Sequence, residues 1–332
     1  MSPWRLLVIG VLWIGVAAAF WHVVQNREQH PLSRTRLLLG TVVEITIYDE
    51  RPQRFADSVD AAFQEMARIE SLTSFHQPQS DVTRLSSTTG TFAAAPEVLE
   101  ILKQGLKISR ASDGAFDMTL GRLKALWGFG SPHPRRPAPE DIREALQGSG
   151  SEALSIEQGR VLKHTNARID LGGIAKGYII DRAAALLQRA GVRCAAINAG
   201  GDLRLIGRRA VPWRIAIRHP RHSDALLATL VLAEPLAVVT SGDYERFFEQ
   251  GGVRYHHLFD PATGMPANRC RSVTVVSPEA ALADALATAV FVMGPDAGLA
   301  LLERYSRTGG LVVDAAGVVH VSRGLRSQVV WP

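Results

Sequence analysis

The sequence predicts an α+β fold, a mixed body of sheet and helices with two lobes around a ligand cleft, preceded by an N-terminal signal or anchor helix. Three observations support this prediction. Strand and helix periodicities both occur along the chain, a proline-rich segment near residues 131–141 marks an exposed connection and a possible subdomain junction, and a long apolar run opens the sequence. With 332 residues, 46% of them hydrophobic, the chain can form one large or two intertwined domains.

The first thirty residues have the pattern of an export signal. Arg5 precedes an apolar run from Leu6 to Val24 that only His22 interrupts. The run is close to the roughly 20 residues that span a bilayer, and the alanines at 17–19 offer a cleavage site, so a membrane anchor and a cleaved signal peptide both remain open. We expect residues 1–30 to form this segment and residues 31–332 to form a folded body that is anchored to the inner membrane or exported, facing the periplasm.

The folded body begins with a strand and an amphipathic helix. In "TVVEITIYD", Val43, Ile45 and Ile47 alternate with more polar residues, which indicates a strand with one buried face. Apolar residues then recur every three or four positions from Arg54 to Leu72, as on one face of a helix. A second helix is predicted over "PEVLEILKQGLKISRAS", with Pro96 at its first turn.

The second half of the chain continues this mixture. A short helix is predicted at Ile142–Leu146, strands at Cys194–Ile197 and over "WRIAIRH", and a long apolar helix at Ala281–Met293. The basic residues behind the net charge of +5 are scattered rather than clustered, which argues against a nucleic-acid partner. The only two cysteines, at 194 and 270, lack the spacing of a zinc site or a disulfide framework.

The stretch "DLGGIAKGYIIDRAAALL", residues 170–187, has the arrangement of an anion site. Gly172 and Gly173 let a ligand approach the backbone ahead of a helix that opens near Ile174, and Lys176 adds a positive charge to the first turn. The spacing matches neither standard glycine-rich phosphate motif. A tight strand-to-helix turn with a solvated Lys176 therefore remains an alternative.

Three more segments gather polar residues around turns or on one helix face. "INAGGDLRLIG" places Asn198 and Asp202 in a glycine-rich turn that could be only a hairpin, and "TSGDYERFFEQGGVRYHHLFDPATGMPA" is dense in polar side chains typical of a site. Asp284 and Thr288 lie four residues apart, on one face of the predicted apolar helix. Because a buried acid needs a partner, we expect a hard metal ion or a helix-end contact there, and these oxygens suit Mg²⁺ better than zinc.

With these segments in view, the chain resembles the ApbE family of FAD:protein FMN transferases from about residue 36 to the C-terminus. Eight segments in family order carry the resemblance: "LLGTVVEITIYD", "RIESLTSF", "GAFDMTLGRLKALWGFG", "IDLGGIAKGYIIDRA", "INAGGDLRLIG", "TSGDYERFFE", "YHHLFDPATGMP" and "DALATAVFVMG". The resemblance implies that FAD is bound with Mg²⁺, that its pyrophosphate is cleaved, and that FMN passes to a Thr or Ser hydroxyl of an acceptor protein with release of AMP. The helix start after residue 170 would hold FAD near its diphosphate, beside the metal.

The resemblance also implies a metal site and a base. Asp284 and Thr288 would bind the metal through their side chains and Gly173 through its backbone carbonyl. Ala287 stands where some members have a second Asp and would offer only its carbonyl. His257 would accept the hydroxyl proton, because imidazole titrates near the working pH.

Nine positions match FAD contacts of the family. Leu39 replaces a frequent Met there, and Phe75 either stacks on a ring of the ligand or is an ordinary core phenylalanine. His256, next to the candidate base, is expected to pack or to form hydrogen bonds. The nine FAD-contact positions are Leu39, Phe75, Ala115, Phe116, Asp117, Asp170, Lys176, Asn198 and Phe259.

The resemblance indicates the kind of acceptor but leaves other functions open. Exported relatives typically modify membrane-associated electron-transfer subunits with a Ser/Gly-Ala-Thr type motif such as Asp-Gly-x-Ser-Gly-Ala-Thr. Two alternatives remain: an FAD pyrophosphatase that uses water as the acceptor and yields FMN and AMP, and a flavin-binding protein without chemistry.

Overall fold

The computed structural model describes residues 30–129, 131 and 133–332. The predicted signal or anchor segment therefore lies outside the described residues, apart from its last position. Within the described part of the chain, no helix is both long enough and apolar enough to cross a membrane.

Sixteen strands form within the described residues, and their pairings are antiparallel. They are β1 (Leu32–Leu38), β2 (Thr41–Ile47), β3 (Gly90–Phe92), β4 (Leu154–Glu157), β5 (Arg160–Lys163), β6 (Ala195–Ala199), β7 (Asp202–Ile206), β8 (Trp213–Arg218), β9 (Leu226–Leu232), β10 (Ala237–Gly242), β11 (Phe247–Gln250), β12 (Val253–His256), β13 (Cys270–Ser277), β14 (Gly309–Asp314), β15 (Val319–Val321) and β16 (Val329–Val330). The main sheet has the order β1-β2-β6-β7-β10-β13-β14-β15, and smaller sheets have the orders β16-β9-β8, β3-β5-β4 and β11-β12.

Eight α-helices accompany these strands in the described residues. They are α1 (Ala56–Thr73), α2 (Asp81–Ser86), α3 (Pro96–Ala111), α4 (Gly121–Trp127), α5 (Pro139–Leu146), α6 (Ala175–Arg189), α7 (Ala280–Met293) and α8 (Pro295–Glu303). The α+β prediction is confirmed, and the helices and strands predicted from periodicity are present. Helix α5 begins at Pro139 rather than at Ile142, because a proline is well tolerated in the first turn of a helix.

Helices cover one face of the main sheet, and the small sheet β16-β9-β8 covers part of the other. Val43, Ile45 and Ile47 of β2 are fully buried, as their alternation predicts, and they belong to a large core with the residues of α1, α6 and α7. Helix α7 is apolar almost all round because it contacts the sheet on one side and α6 and α8 on others. A second core, with Trp213 and Leu230 at its centre, joins the sheet β16-β9-β8 to the other face.

A third cluster of aromatic residues joins α4 and α5 to the ribbon β11-β12. Trp127 is fully buried, with ring centroids 5.5 Å from Tyr255 and 5.8 Å from Phe259, and its indole N–H donates to the Gly264 carbonyl at 3.1 Å. The proline-rich connection near 131–141 leads from α4 to α5 beside this cluster. A subdomain boundary at that point stays a prediction.

Candidate active site

A cavity of ≈ 1010 Å³ opens where the main sheet, the first turn of α6 and the aromatic cluster meet. The predicted site residues that line it are Leu39, Phe75, Ala115, Phe116, Asp117, Asp170, Gly173, Lys176, Asn198, His257, Phe259, Asp284 and Thr288. Ala287 is fully buried within α7 and lies outside this lining. Segments far apart in the chain are therefore brought together as predicted, while the role of each residue stays a prediction.

The carboxylate of Asp170 is held in place by two groups. The Lys124 ammonium donates to its two oxygens at 2.9 and 2.8 Å, and the Gly172 N–H donates to one of them at 3.1 Å. Burial favours the neutral acid, but Lys124 and the Gly172 N–H outweigh it and hold the pKa of Asp170 below its ordinary value. Asp170 therefore stays ionised and fixes the turn that leads into α6.

Lys176 is paired with an acid rather than fully solvated, and the structural turn of that alternative stays open. Its ammonium lies 2.5 Å from a carboxylate oxygen of Asp202, which is 3% exposed at the start of β7. Burial disfavours the charge of Lys176, yet Asp202 and Asp284 raise the pKa of Lys176 above its ordinary value. The lysine therefore stays protonated at neutral pH and partly neutralises the acids beside it.

The helix start of α6 receives a protein carboxylate. The N–H of Gly177, in the first turn, donates to Asp284 at 3.0 Å, which is the helix-end contact that the sequence left open as a partner for this acid. A Cβ at position 177 would lie 2.2 Å from the Ala280 carbonyl oxygen, so only glycine allows α6 and α7 to approach this closely. One N–H expected to face a phosphate is therefore already bonded.

Asp284 remains short of positive charge despite that hydrogen bond. Burial, and then the negative charge of Asp202, raise the pKa of Asp284 to about 7, against the opposing effects of Lys176 and the Gly177 N–H. Burial likewise raises the pKa of Asp202, although Lys176 opposes this. A carboxyl group in this state can lose its proton readily when a further cation enters the cavity.

Asp284, Thr288 and Gly173 all line the cavity. Thr288, one helical turn away, places its Oγ1 3.1 Å from the point that a Cβ on Gly173 would occupy, so its hydroxyl and the Gly173 backbone are neighbours. A carboxylate, a hydroxyl and a carbonyl are the oxygen donors that Mg²⁺ accepts. In the described part of the chain no group of three or more His, Cys, Asp or Glu side chains is arranged to hold a metal.

Aromatic and small residues form the apolar part of the lining. The Phe116 ring, 2% exposed, lies 3.1 Å from the Cβ position of Gly173, so a side chain there would displace it. Phe75 is half-buried against the cavity, with the Arg168 guanidinium 5.0 Å and the Lys124 ammonium 5.8 Å from its ring centroid. This placement favours a ligand-facing role for Phe75 over the core alternative.

Asp117 and Leu39 are held in place by hydrogen bonds to neighbouring groups. Asp117 accepts from the Thr119 N–H at 2.7 Å and the Thr119 hydroxyl at 2.6 Å, while burial raises its pKa. Leu39 adopts φ +57, and its N–H donates to the Glu70 carboxylate at 2.9 Å. Because few side chains adopt this conformation unaided, Glu70 is the group that holds the β1–β2 turn against the cavity.

The two adjacent histidines have different environments. His256 is 5% exposed, with its Nε2 2.8 Å from the Ala267 carbonyl and its Nδ1 3.3 Å from the Leu258 N–H, so it has the hydrogen-bonding role expected of it. His257 is half-buried and lines the cavity, and its Nδ1 lies 3.3 Å from the Arg246 carbonyl. Since a carbonyl only accepts, Nδ1 of His257 carries the proton and its Nε2 keeps a free lone pair.

The charge state of His257 differs from the expectation. Burial, together with the positive charges of Arg246 and Lys124, lowers the pKa of His257 to about 3. The imidazole is therefore neutral throughout the physiological range, and the argument that it titrates near neutral pH is wrong for the free enzyme.

Comparison with known proteins identifies the family. The sequence profile described as the ApbE family matches residues 39–312. The chain belongs to the ApbE family. FAD:protein FMN transferases of Treponema pallidum (strain Nichols) and Vibrio cholerae (strain O395) are 31% and 38% identical, over 98% and 69% of this chain and 95% and 71% of their own.

Solved ApbE structures share the fold. The ApbE protein from Thermotoga maritima matches with a TM-score of 0.82 and 34% identity, covering 90% of this chain and 99% of its own. The apo form of the Pseudomonas stutzeri flavinyl transferase ApbE matches with a TM-score of 0.78 and 31% identity, covering 90% and 96%. This ApbE family member is therefore a flavin-transferring enzyme.

Several residues of the ApbE cavity were missed by sequence reasoning. Lys124, Glu70 and Arg246 all line it, and although each lies within a segment that carries the family resemblance, none was singled out as a site residue. Lys124 and Glu70 lie on amphipathic helices, where a charged residue usually indicates a solvated face. Asp202 stood out only as part of a glycine-rich turn, and its pairing with Lys176 depends on how α6 packs against β7.

Proposed function

We propose that this ApbE family member transfers FMN from FAD to a Thr or Ser hydroxyl of an acceptor protein, with Mg²⁺ bound in the cavity and AMP released. One observation carries the proposal: a single cavity contains both Asp284, a buried acid with too little positive charge around it, and His257, a neutral imidazole with a free lone pair. Asp284 can bind a metal ion, and His257 can accept the proton of an attacking hydroxyl.

The reaction requires one bond to form, one to break and one proton to move. The hydroxyl oxygen of the acceptor bonds to the phosphorus on the FMN side of FAD, the bond to the AMP phosphate breaks, and the hydroxyl proton passes to Nε2 of His257. The Arg246 carbonyl keeps the other ring nitrogen protonated, so the lone pair stays available. An anionic diphosphate near Arg246 and Lys124 would offset the two charges that lower the pKa of His257, which would make it a stronger base when substrate is bound.

The metal would be bound in the same cavity by the oxygen atoms of three residues. Asp284 would supply the charged oxygen, and the Thr288 hydroxyl and the Gly173 carbonyl would supply neutral ones. When bound, Mg²⁺ stabilises negative charge on phosphate oxygens. Lys176 stays protonated beside Asp202 and Asp284, and its positive charge weakens the repulsion between these two acids and the anionic substrate.

The acceptor and the location of the enzyme are part of the proposal. The acceptor would be a subunit of a membrane-associated redox complex with a Ser/Gly-Ala-Thr type motif, and the N-terminal segment would place the enzyme on the periplasmic side of the inner membrane. Alkaline phosphatase fused to the C-terminus of the full chain should then be active in a Gram-negative host. Activity of a cytoplasmic reporter at the same position would contradict this location.

The transfer itself is tested with the full chain and a soluble domain of a redox-complex subunit that contains Asp-Gly-x-Ser-Gly-Ala-Thr. We expect in-gel flavin fluorescence on the domain, AMP in equal amount, and neither in a domain whose motif Thr is replaced by Ala. AMP and free FMN without labelling of the domain would indicate a pyrophosphatase. Bound FAD that is never cleaved would indicate a flavin-binding protein.

A further inference from the structure

Two exposed apolar side chains lie side by side at the end of the β1–β2 hairpin. Leu37 is 82% exposed and Val42 is 53% exposed, and the two are directly paired across the strands. The other residues on this outer face of the hairpin are polar: Ser33, Thr35, Glu44 and Thr46. We call Leu37 and Val42 the hairpin patch. An apolar pair on an otherwise polar face is a candidate contact surface.

The hairpin patch lies next to the entrance of the cavity. Leu39, Gly40 and Thr41, which connect the two strands, all belong to the cavity lining. The Arg246 guanidinium approaches to 3.6 Å from the Cβ position of Gly40, and the Glu70 carboxylate holds the Leu39 N–H at 2.9 Å. A molecule that covers the patch therefore also lies beside the entrance, on a turn whose shape is fixed.

The neighbouring backbone can pair with an extended chain. β1 is the terminal strand of the main sheet and, among the described residues, pairs with β2 alone. Its outward N–H and C=O groups can pair with an added strand, except the Thr35 carbonyl, which accepts from the Arg36 guanidinium at 3.1 Å. The side chains of Arg34 and Arg36 share the single carboxylate of Asp60 on α1, so the strand keeps some positive charge on its other face. The hairpin patch itself is uncharged and its connecting turn lines the cavity, which favours an apolar segment of a protein that reacts there.

We propose that the hairpin patch docks the acceptor protein. An extended segment next to the acceptor hydroxyl lies beside β1 and packs an apolar side chain on Leu37 and Val42, which holds the hydroxyl at the entrance of the cavity. This inference rests on the proposed function, because it requires that the second substrate is a protein.

The test compares two surface variants of the full-length enzyme. The double variant Leu37→Asp with Val42→Asp is expected to raise KM for the motif-containing domain at least tenfold, because two carboxylates without partners would be desolvated against the apolar segment. Its FAD affinity, and AMP release at saturating domain, should stay within about twofold of wild type. The matched control is Val318→Asp, 55% exposed before β15 at the other end of the main sheet, which should leave KM unchanged.

Each other outcome has a defined meaning. If the wild type labels the domain and the double variant has an unchanged KM, the docking surface is wrong. If the double variant loses FAD binding, Leu37→Thr with Val42→Thr, which keeps strand-forming residues, replaces it, and an unchanged KM there is again decisive against the patch. Loss of binding to phosphatidylglycerol vesicles with unchanged KM would assign the patch to the membrane instead. If the wild type binds FAD but never labels the domain, the proposed function itself fails.

Discussion

The cavity contains two groups of titratable residues with opposite electrostatic imbalances. Around Asp284 and Asp202, burial raises both pKa values, because the positive charge of Lys176 does not fully balance two carboxylates. Around His257, burial and the charges of Lys124 and Arg246 act in the same direction and lower its pKa to about 3. The first group lacks positive charge. In the second, burial is the main cause and acts together with two cations, of which Lys124 is already paired with Asp170.

This difference indicates what the cavity is built to receive. A divalent cation would correct the first imbalance, and an anionic dinucleotide would correct the second. Neither group is balanced by the protein alone, which is unfavourable for stability but leaves a defined place for each charge of the ligand. Substitutions that alter one group and leave the other intact can separate the two contributions.

The largest effect is expected when the acid group loses its only proposed metal-binding carboxylate. Asp284→Ala leaves the Thr288 hydroxyl and a backbone carbonyl, both neutral, to face a divalent cation that prefers charged oxygens. We expect FMN transfer to fall about a thousandfold or more, equivalent to roughly 4 kcal/mol of transition-state energy. Initial rates measured over a range of Mg²⁺ concentrations would show this.

Two further variants sharpen the assignment. Asp284→Asn keeps the size of the side chain and should be rescued only partly by millimolar Mg²⁺ or Mn²⁺. Asp81→Asn is the matched control, since Asp81 is a buried acid that accepts from the Ala95 N–H at 2.6 Å and lies outside the cavity lining. It should lower the melting temperature without changing the Mg²⁺ dependence. Near wild-type transfer by Asp284→Ala at limiting Mg²⁺ would show that the metal assignment is wrong.

The next largest effect is expected from loss of the base in the second group. His257→Ala should reduce the transfer rate by about 10²- to 10⁴-fold, as is typical when a general base is removed, while FAD affinity and Mg²⁺ dependence persist. Because the pKa of His257 is about 3 in the free enzyme, its protonation should not limit kcat/KM between pH 5 and 8. Bound anionic substrate should raise this pKa, so any acid limb should appear in kcat and disappear in the variant. If the acid limb of the kcat profile persisted in His257→Ala, it would belong to another titrating group.

A smaller effect is expected from removing one of the two positive charges near His257. Lys124→Met should weaken FAD binding by about tenfold, or ~1.4 kcal/mol, because Asp170 loses its ammonium partner and the cavity loses a cation. The same change should raise the pKa of His257 and that of Asp170, since Lys124 lowers both. NMR titration of the His257 imidazole would detect the first shift. Arg122→Met, on the same helix but outside the cavity lining, is the control. Unchanged titration would contradict the influence of Lys124.

The fold was largely predictable because its signals are local. The alternation of Val43, Ile45 and Ile47 reports one buried face of β2 whatever the rest of the chain does, and the three- to four-residue spacing reports α1 in the same way. The turn between β6 and β7 was also readable, since a glycine-rich pair of residues joins two apolar strands.

The site was predictable only in part, because its charges depend on packing. Lys124 reaches Asp170 through a pairing 46 residues apart in sequence, which no local pattern reports. The low pKa of His257 follows from burial and from Arg246, and the sequence shows neither. The helix-end partner of Asp284 was foreseen as one possibility, yet the choice of the Gly177 N–H depends on how closely α6 and α7 approach.

The smallest effect concerns the stability of the metal-free enzyme. Asp284 and His257 should change that stability with pH in opposite directions. The pKa of Asp284 rises from 3.8 to about 7 on folding, so the folded state holds a proton that the unfolded state releases. The stabilisation from this proton is fully present below pH 4 and is lost as the pH rises to about 7. Above pH 7 the buried carboxylate is charged, and Asp284→Asn should then melt a few degrees higher than wild type.

The measurement is thermal unfolding in EDTA at pH 5 and pH 8. The advantage of Asp284→Asn should be larger at pH 8, and saturating Mg²⁺ should reverse it, because the ion stabilises only the wild-type carboxylate. For His257 we expect the opposite dependence on pH. Because its pKa falls from 6.5 to about 3 on folding, the folded state loses stability as the pH falls through this range, so His257→Gln should raise the melting temperature only at acidic pH. Equal changes in melting temperature for Asp284→Asn at both pH values would contradict the charge imbalance from which the metal site is inferred.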